Sequence, residues 1–251
     1  MVFRFGRSKK INKRAPSGPD GKRVYAIGDV HGCYDELVTL CALIREDIAA
    51  RPGRETSVVM LGDLIDRGPN SRGVIEFLTS NPFSPATMLT IRGNHEDILL
   101  KGLDGTPSLL KDWLQYGGTL CASSYGIPAH TLSSMTAEQL EYTLLSKIPA
   151  RHINFLRSSV DCIRFGDFFL VHAGVRPGIP LHKQAPQDLK WIRDDFLSST
   201  ANHGAVIVHG HSIVSEPTFL PNRIAIDTGA YQTGRLTALC IEGEATMVLQ
   251  T

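Results

Sequence analysis

Five short apolar runs in this chain each end on residues that can hold a metal or move a proton. The endings are Gly28-Asp29-Val30-His31-Gly32, Gly62-Asp63-Leu64-Ile65-Asp66-Arg67-Gly68, Arg92-Gly93-Asn94-His95-Glu96, Val171-His172-Ala173-Gly174 and His209-Gly210-His211-Ser212. After a strand, residues two apart point to one side, so the Asp29 carboxylate and the His31 imidazole can converge on one point. A carboxylate beside an imidazole suits a divalent ion such as Mn, Fe or Zn. The second ending sets Asp63, Asp66 and Arg67 in a tight glycine-bounded loop, and the third puts an amide oxygen and an imidazole beside an arginine. Any one of these has an ordinary explanation as a helix cap, a salt-bridged turn or a structural histidine. Five together do not, because buried carboxylates without cations carry heavy desolvation costs. A two-metal site is the simpler account.

Something must bring these endings to one place. The runs before them are rich in Val and Ile and stop at small or polar residues, which reads as buried strands. Between them lie helical patterns, clearest from Tyr34 to Ala50, where Leu37, Leu40, Cys41, Ile44 and Ile48 form one apolar face. Strand, polar loop, helix, strand is the α/β pattern, in which ligands gather at the carboxyl ends of strands. Residues 101–159 differ: Ser108–Tyr116, Ala137–Lys147 and Ala150–Ser158 look helical with no strand between them. They are expected to form a helical insertion over one edge of the sheet, with a packing role and no chemistry. Arg235–Cys240 and Ala245–Val248, around Glu242-Gly243, predict a closing hairpin.

With 251 residues, 42% hydrophobic and 20% charged, the chain is sized for one soluble globular domain. Its net charge of +1 hides an asymmetry: residues 1–23 hold eight Lys/Arg against one Asp, leaving 18 basic against 24 acidic side chains elsewhere. Residues 1–22 are expected to be a basic disordered tail and residues 23–251 the catalytic domain. An acidic body argues against nucleic acid as a partner. No apolar run approaches the ~18 residues of a membrane span, and the first residues lack a hydrophobic signal core. Five cysteines without CxxC pairing fit a reducing cytoplasm.

In their order and intervals, the first three endings resemble the signature blocks of the PPP-type serine/threonine protein phosphatases, within the calcineurin-like metallophosphoesterase superfamily. The HAG and GHS endings match that superfamily's two C-terminal metal histidines. The resemblance runs from about Val24 to Val248 and is greatest to compact bacterial and phage members. It implies an α/β fold with a central β-sandwich flanked by helices, four layers in the order αββα. It also implies two divalent metals, Mn being the expected ion with Fe or Zn as alternatives. By motif position, Asp29, His31 and Asp63 would hold the first, and Asp63, Asn94, His172 and His211 the second, with Asp63 bridging. A water between the metals would lose a proton and become the nucleophile.

Arg67 would grip the phosphate, as would Arg193 in Trp191-Ile192-Arg193, with an ion pair to Asp194 or Asp195 as the alternative for Arg193. Arg92 divides between phosphate contact and loop bracing, and Asn94 lies close enough to touch substrate as well as metal. His95, oriented by Asp66, would protonate the leaving oxygen. His209 could support the site from behind, and Asp227 is expected to brace its loop. Two positions depart from the eukaryotic pattern: Leu64-Ile65 replace an aromatic-containing pair, and HAG replaces HGG. Neither is at a ligand position, so the chemistry should survive while regulation and substrate groove do not transfer.

The expected activity is metal-dependent phosphoester hydrolysis, with phosphorylated protein as substrate. The nearby alternative is a dinucleoside polyphosphate hydrolase acting on diadenosine tetraphosphate, from which the Asp66-Arg67 pair and the RGNHE block set this chain apart. A catalytically silent binding module is a remote third reading, opposed by retention of every expected ligand and both arginines.

Overall fold

The apolar runs pair into two five-stranded sheets, in a computed structural model that describes residues 14–251. The first sheet has β1 (Lys22–Ile27), β2 (Glu55–Met60), β3 (Thr87–Thr90), β9 (Thr237–Glu242) and β10 (Ala245–Gln250), in the order β10-β9-β1-β2-β3. The second has β4 (Cys162–Phe165), β5 (Phe168–Val171), β6 (Val206–His209), β7 (Thr218–Leu220) and β8 (Arg223–Ala225), in the order β4-β5-β6-β8-β7. β1, β2 and β3 run parallel, and their register sets Ile27 beside Met60 and Met60 beside Thr90. The loops carrying the first three chemical endings therefore leave the sheet at one level. β5 and β6 are also parallel, with Leu170 beside Val208, which brings the loops of His172 and His211 out together.

Alternation along β1 explains the layers. Val24 and Ala26, with Val59, Leu61 and Ile91, face Phe168, Leu170, Val208 and Ile226 of the other sheet, forming the core between the sheets. Tyr25 and Ile27 turn outward to a helical layer that includes α1 (Tyr34–Ala50), α2 (Ser71–Thr79) and α3 (Asn94–Leu103). The α1 face is the expected one: Leu37, Leu40, Cys41 and Ile44 are buried, and Ile48 packs against them at the edge. On the far side, Leu189, Ile192 and Phe196 cover Phe169, Val171 and Ile207 of the second sheet. Leu189 lies in a helix at Pro186–Trp191 and Phe196 in one at Asp194–Leu197. The fold is thus the expected four-layer α/β arrangement, two mixed sheets between helical layers.

The insertion consists of α4 (Leu109–Trp113), α5 (Thr119–Ser124), α6 (Ala129–Leu132), α7 (Ala137–Lys147) and α8 (Ala150–Arg157). It packs on α2 and α3 and shares their apolar cluster through Leu110, Trp113, Cys121, Leu140 and Leu144. One helix was expected over Ser108–Tyr116, but the α-helix stops at Trp113. The chain instead kinks within Leu114–Gly118 before α5 begins, because Gly117 takes a φ of 112°.

The tail expectation needs adjustment. Residues 1–13 lie outside the described residues, while Ser17 N–H donates to the Asp167 carboxylate at 2.9 Å and Gly18 N–H to Gly243 O at 2.8 Å. The chain is therefore pinned to both sheets before β1 begins, rather than from residue 23. Among the described residues, no helix is long and apolar enough to cross a membrane.

Candidate metal centre and acid site

Asp63 stands at the middle of the site. Its Oδ2 lies 3.4 Å from His172 Nε2, 3.6 Å from His31 Nε2 and 3.8 Å from His95 Nε2. Burial pushes its carboxyl up, but the imidazoles of His172, His95 and His31 outweigh that and hold it well below the usual carboxylate range. It stays an anion.

The loops that converge here carry unusual backbone. Six non-glycine residues among those described have positive φ, and five belong to this site: His31 at 46°, Asp63 at 48°, Asp66 at 72°, Arg67 at 63° and His211 at 61°. Such conformations cost energy and persist only where the surroundings over-determine them. One reason is visible at Gly93, where a Cβ would come within 2.1 Å of Asp63 Oδ1. The third block must be glycine there to approach the second.

Hydrogen bonds fix which ring nitrogens face the centre. His31 Nδ1 donates to Ile65 O at 2.9 Å and His172 Nδ1 to Leu61 O at 3.0 Å, since a carbonyl can only accept. Both Nε2 atoms are left as free ligands, the usual arrangement behind a metal-binding imidazole. His172 Nε2 faces Asn94 Oδ1 at 3.0 Å and His211 Nδ1 at 3.1 Å, with Asp63 Oδ2 close by. These are acceptors directed at one another, an arrangement that requires a cation or a proton between them. Without a metal, His172 supplies the proton: burial lowers its basicity, but Asp63 overrides this and raises it to about 9. Burial keeps His31 neutral, pushing it down to about 3, and acts in the same direction on His211. Neutral imidazole and ionised carboxylate are the ligating forms, so the donor set fits divalent ions.

Two groups of ligand atoms lie within 4.8 Å of one another: Asp63, His172 and His211, and His31, Asp63 and His95. The first, with Asn94 beside it, brings together the set expected for the second metal. The other group contains His95 where Asp29 was expected. Asp29 is buried with its carboxylate accepting the His211 N–H at 3.1 Å, and burial and then Asp227 push its carboxyl well up. It lies at the edge of the cluster, within electrostatic reach of His172.

His95 is held by Asp66. Its Nδ1 lies 2.7 Å from Asp66 Oδ2, and its Nε2 is buried with no partner. Burial lowers the basicity of His95, and Asp63 and Asp66 more than reverse that, leaving it above that of an ordinary imidazole. The ring can give up a proton at Nε2.

The arginines separate. Arg67 Nη1 donates to Tyr231 OH at 3.1 Å with its guanidinium 5.1 Å from the centre of the same ring, and Tyr231 also packs edge-on against His31 at 5.2 Å. Arg193 is exposed and donates to Ser212 Oγ at 3.3 Å, beside His211; Asp195 pairs with Arg176 instead. For Arg92, expected either to contact phosphate or to brace its loop, Nη2 donates to Arg157 O at 2.8 Å, a bracing contact that ties the third block to the end of α8. Asp227 Oδ1 accepts Gly229 N–H at 2.9 Å, bracing its own loop. His209 turns Nδ1 to Gly210 O and packs on Phe196, away from the ligand atoms.

Sequence reasoning gave no role to Glu96, Trp113 or Tyr231. Glu96 is fully buried and accepts backbone N–H groups from Asp63, Leu64 and Gly93 at 2.9, 2.7 and 2.9 Å. Its signal was present as a carboxylate completing the third block. Trp113 lies inside the helical pattern over Ser108–Tyr116 and Tyr231 outside the five chemical endings, so neither position was marked for the site.

A family model for calcineurin-like phosphoesterases matches residues 22–240. The chain belongs to that family. It is a metallophosphoesterase, of a family that uses divalent metals. Among characterised relatives, it is 28% identical over 229 residues to serine/threonine-protein phosphatase 1 of Salmonella typhimurium, covering 88% of this chain and 93% of that one. It is 26% identical over 231 residues to the asymmetrical bis(5'-nucleosyl)-tetraphosphatase PrpE of Bacillus cereus, covering 85% and 88%. A solved structure assigned as a diadenosine tetraphosphatase superposes with a TM-score of 0.64 at 21% identity, covering 94% of this chain and 98% of that one. Overall likeness does not choose between the two substrate classes.

Proposed function

We propose that this metallophosphoesterase is a phosphomonoesterase acting on phosphoserine and phosphothreonine in proteins. The observation that carries the reading is the buried Asp66–His95 pair, in which Asp66 engages Nδ1 and leaves Nε2 unpartnered, 3.8 Å from Asp63 of the ligand cluster, where it can serve as a proton donor. A serine or threonine alkoxide is a strong base and leaves only as it gains a proton. The phosphate leaving group of a dinucleoside polyphosphate is a weak base and needs no such donor.

Asp29, His31 and Asp63 would hold one divalent ion, and Asp63, Asn94, His172 and His211 the other, with Mn favoured by the oxygen and nitrogen donors and absence of thiolate. When bound, the ions neutralise phosphoryl charge and acidify water. Arg67 and Arg193 grip the phosphoryl oxygens through their guanidinium forks. As the bond from phosphorus to the ester oxygen breaks and water oxygen bonds to phosphorus, the proton on His95 Nε2 passes to the departing oxygen. Asp66 keeps the second ring proton on Nδ1 and so fixes the plane of the ring.

Enzyme stripped of metal and reloaded with Mn, Fe or Zn should be assayed side by side on phosphoserine, phosphothreonine and phosphotyrosine peptides and on diadenosine tetraphosphate. The serine and threonine peptides are expected to give the highest kcat/KM. A clear preference for the dinucleotide would move the function to the tetraphosphatase reading, which the Bacillus relatives' name favours.

A further inference from the structure

We propose that Trp113, in the helical insertion, is a positioning residue for the proton donor: its indole N–H sets the Asp66 carboxylate that orients His95. This rests on the reading of His95 as the acid. Asp66 Oδ2 accepts two hydrogen bonds, from His95 Nδ1 at 2.7 Å and from Trp113 Nε1 at 2.8 Å. Both Asp66 and Trp113 are 0% exposed, so no water replaces the indole donor if it is removed. The Asp66 backbone is held separately, in a left-handed conformation, by its N–H donating to Ser71 Oγ at 3.0 Å. Its other carboxylate oxygen, Oδ1, has no partner. The two bonds at Oδ2 therefore fix the rotation of the carboxylate, and Trp113 supplies one of them.

The insertion is built to place this indole. Trp113 ends α4, and the kink that follows brings Gly117 O to the Arg67 N–H at 3.2 Å. A Cβ on Gly117 would come within 2.9 Å of Arg67 N, and one on Gly118 within 2.4 Å of the indole ring. Two glycines four and five residues after the tryptophan thus let one turn of the insertion straddle Asp66 and Arg67. It holds the side chain of the first and the backbone of the second. The insertion, expected to be packing alone, completes the loop that carries the acid's orienting group.

The test compares Trp113→Phe with a variant carrying benzothienylalanine at 113, which keeps the indole's shape and replaces N–H by sulfur. Metal-loaded enzymes are assayed on substituted phenyl phosphates whose phenols span a wide range of basicity, with His95→Gln as reference. We expect unchanged metal content and a loss that grows with leaving-group basicity, about tenfold for the poorest leaving group and within about twofold for nitrophenyl phosphate. A uniform loss or no loss in both variants, with a graded loss in His95→Gln, would overturn the role of Trp113 alone. A uniform loss in His95→Gln would remove the acid assignment and this inference with it. If Trp113→Phe fails to fold, the benzothienyl variant decides.

Discussion

Glu96 clamps the backbone of Asp63 from behind: its Oε2 accepts the Asp63 N–H at 2.9 Å, while Oε1 accepts the next N–H, of Leu64, at 2.7 Å. Gly93 donates to the same Oε2. The third block thus holds the second in its strained left-handed turn, and the residue at the centre of the site owes its place to a carboxylate that touches no metal. Glu96→Gln turns an NH2 group toward at least one of these donors. It should destabilise the protein by about 2–4 kcal/mol, because buried donors are left unsatisfied. Chemical denaturation measures this, and a variant as stable as the parent would show that the clamp is dispensable.

Without metal, the proton on His172 takes the cation's place, and stability should follow it. The folded-state value of about 9 lies above the ordinary 6.5. The stabilisation is therefore fully present below about pH 6.5 and lost as pH rises toward 9 and beyond. Stripped protein should lose roughly 1–3 kcal/mol between pH 6.5 and 9.5 from this group. Metal-loaded protein, whose imidazole is neutral throughout, should show a much flatter profile. Urea melts across this range test both, and stability of the stripped protein that rises with pH would contradict the assignment.

The blocks that carry ligands were legible because chemistry constrains them locally: Asp29, His31, Asp63, Asn94, His172 and His211 each follow a strand, and short loops keep them there. The layers were implied only by the resemblance, and the structure supplies their physical reason in the alternation of Val24 and Ala26 against Tyr25 and Ile27. What escaped was set by contacts far apart in sequence. Trp113 meets Asp66 across 47 residues and Tyr231 meets Arg67 across 164. No local period marks either. Arg92 stayed open between two roles because an arginine beside the site chemistry suits phosphate, while the Arg157 carbonyl that takes it belongs to a distant helix end. The turn at Gly117 was hidden because the pattern over Ser108–Tyr116 is helical up to the residue before it.

Arg67 and Arg92 should differ sharply on substitution. Arg67→Ala removes a guanidinium at the rim of the ligand cluster and should lower kcat/KM by ~10²–10³-fold, the usual cost of losing one donor to the charge that develops in the transition state. It should also weaken inhibition by inorganic phosphate. Arg92→Ala frees the end of α8 and should lower thermal stability while leaving phosphate inhibition unchanged. Weakened phosphate inhibition in Arg92→Ala would return that arginine to the substrate.

His95 lies as close to His31 and Asp63 as a metal ligand would, yet its Nδ1 is committed to Asp66. Substitution separates a proton donor from a ligand. If His95 is the donor, His95→Gln keeps its metals, because the proposed ligands, Asp29, His31 and Asp63 for one ion and Asp63, Asn94, His172 and His211 for the other, all remain. Nitrophenolate leaves readily without a proton, whereas a serine alkoxide does not. The variant should therefore lose ~10²–10⁴-fold on phosphoserine peptide and far less on nitrophenyl phosphate. Asp66→Asn should follow in the same direction more weakly, since it misorients the ring without removing it. Metal analysis alongside the two assays decides the matter: equal losses on both substrates with depleted metal would place His95 in the coordination shell and leave the proton donor to be found elsewhere.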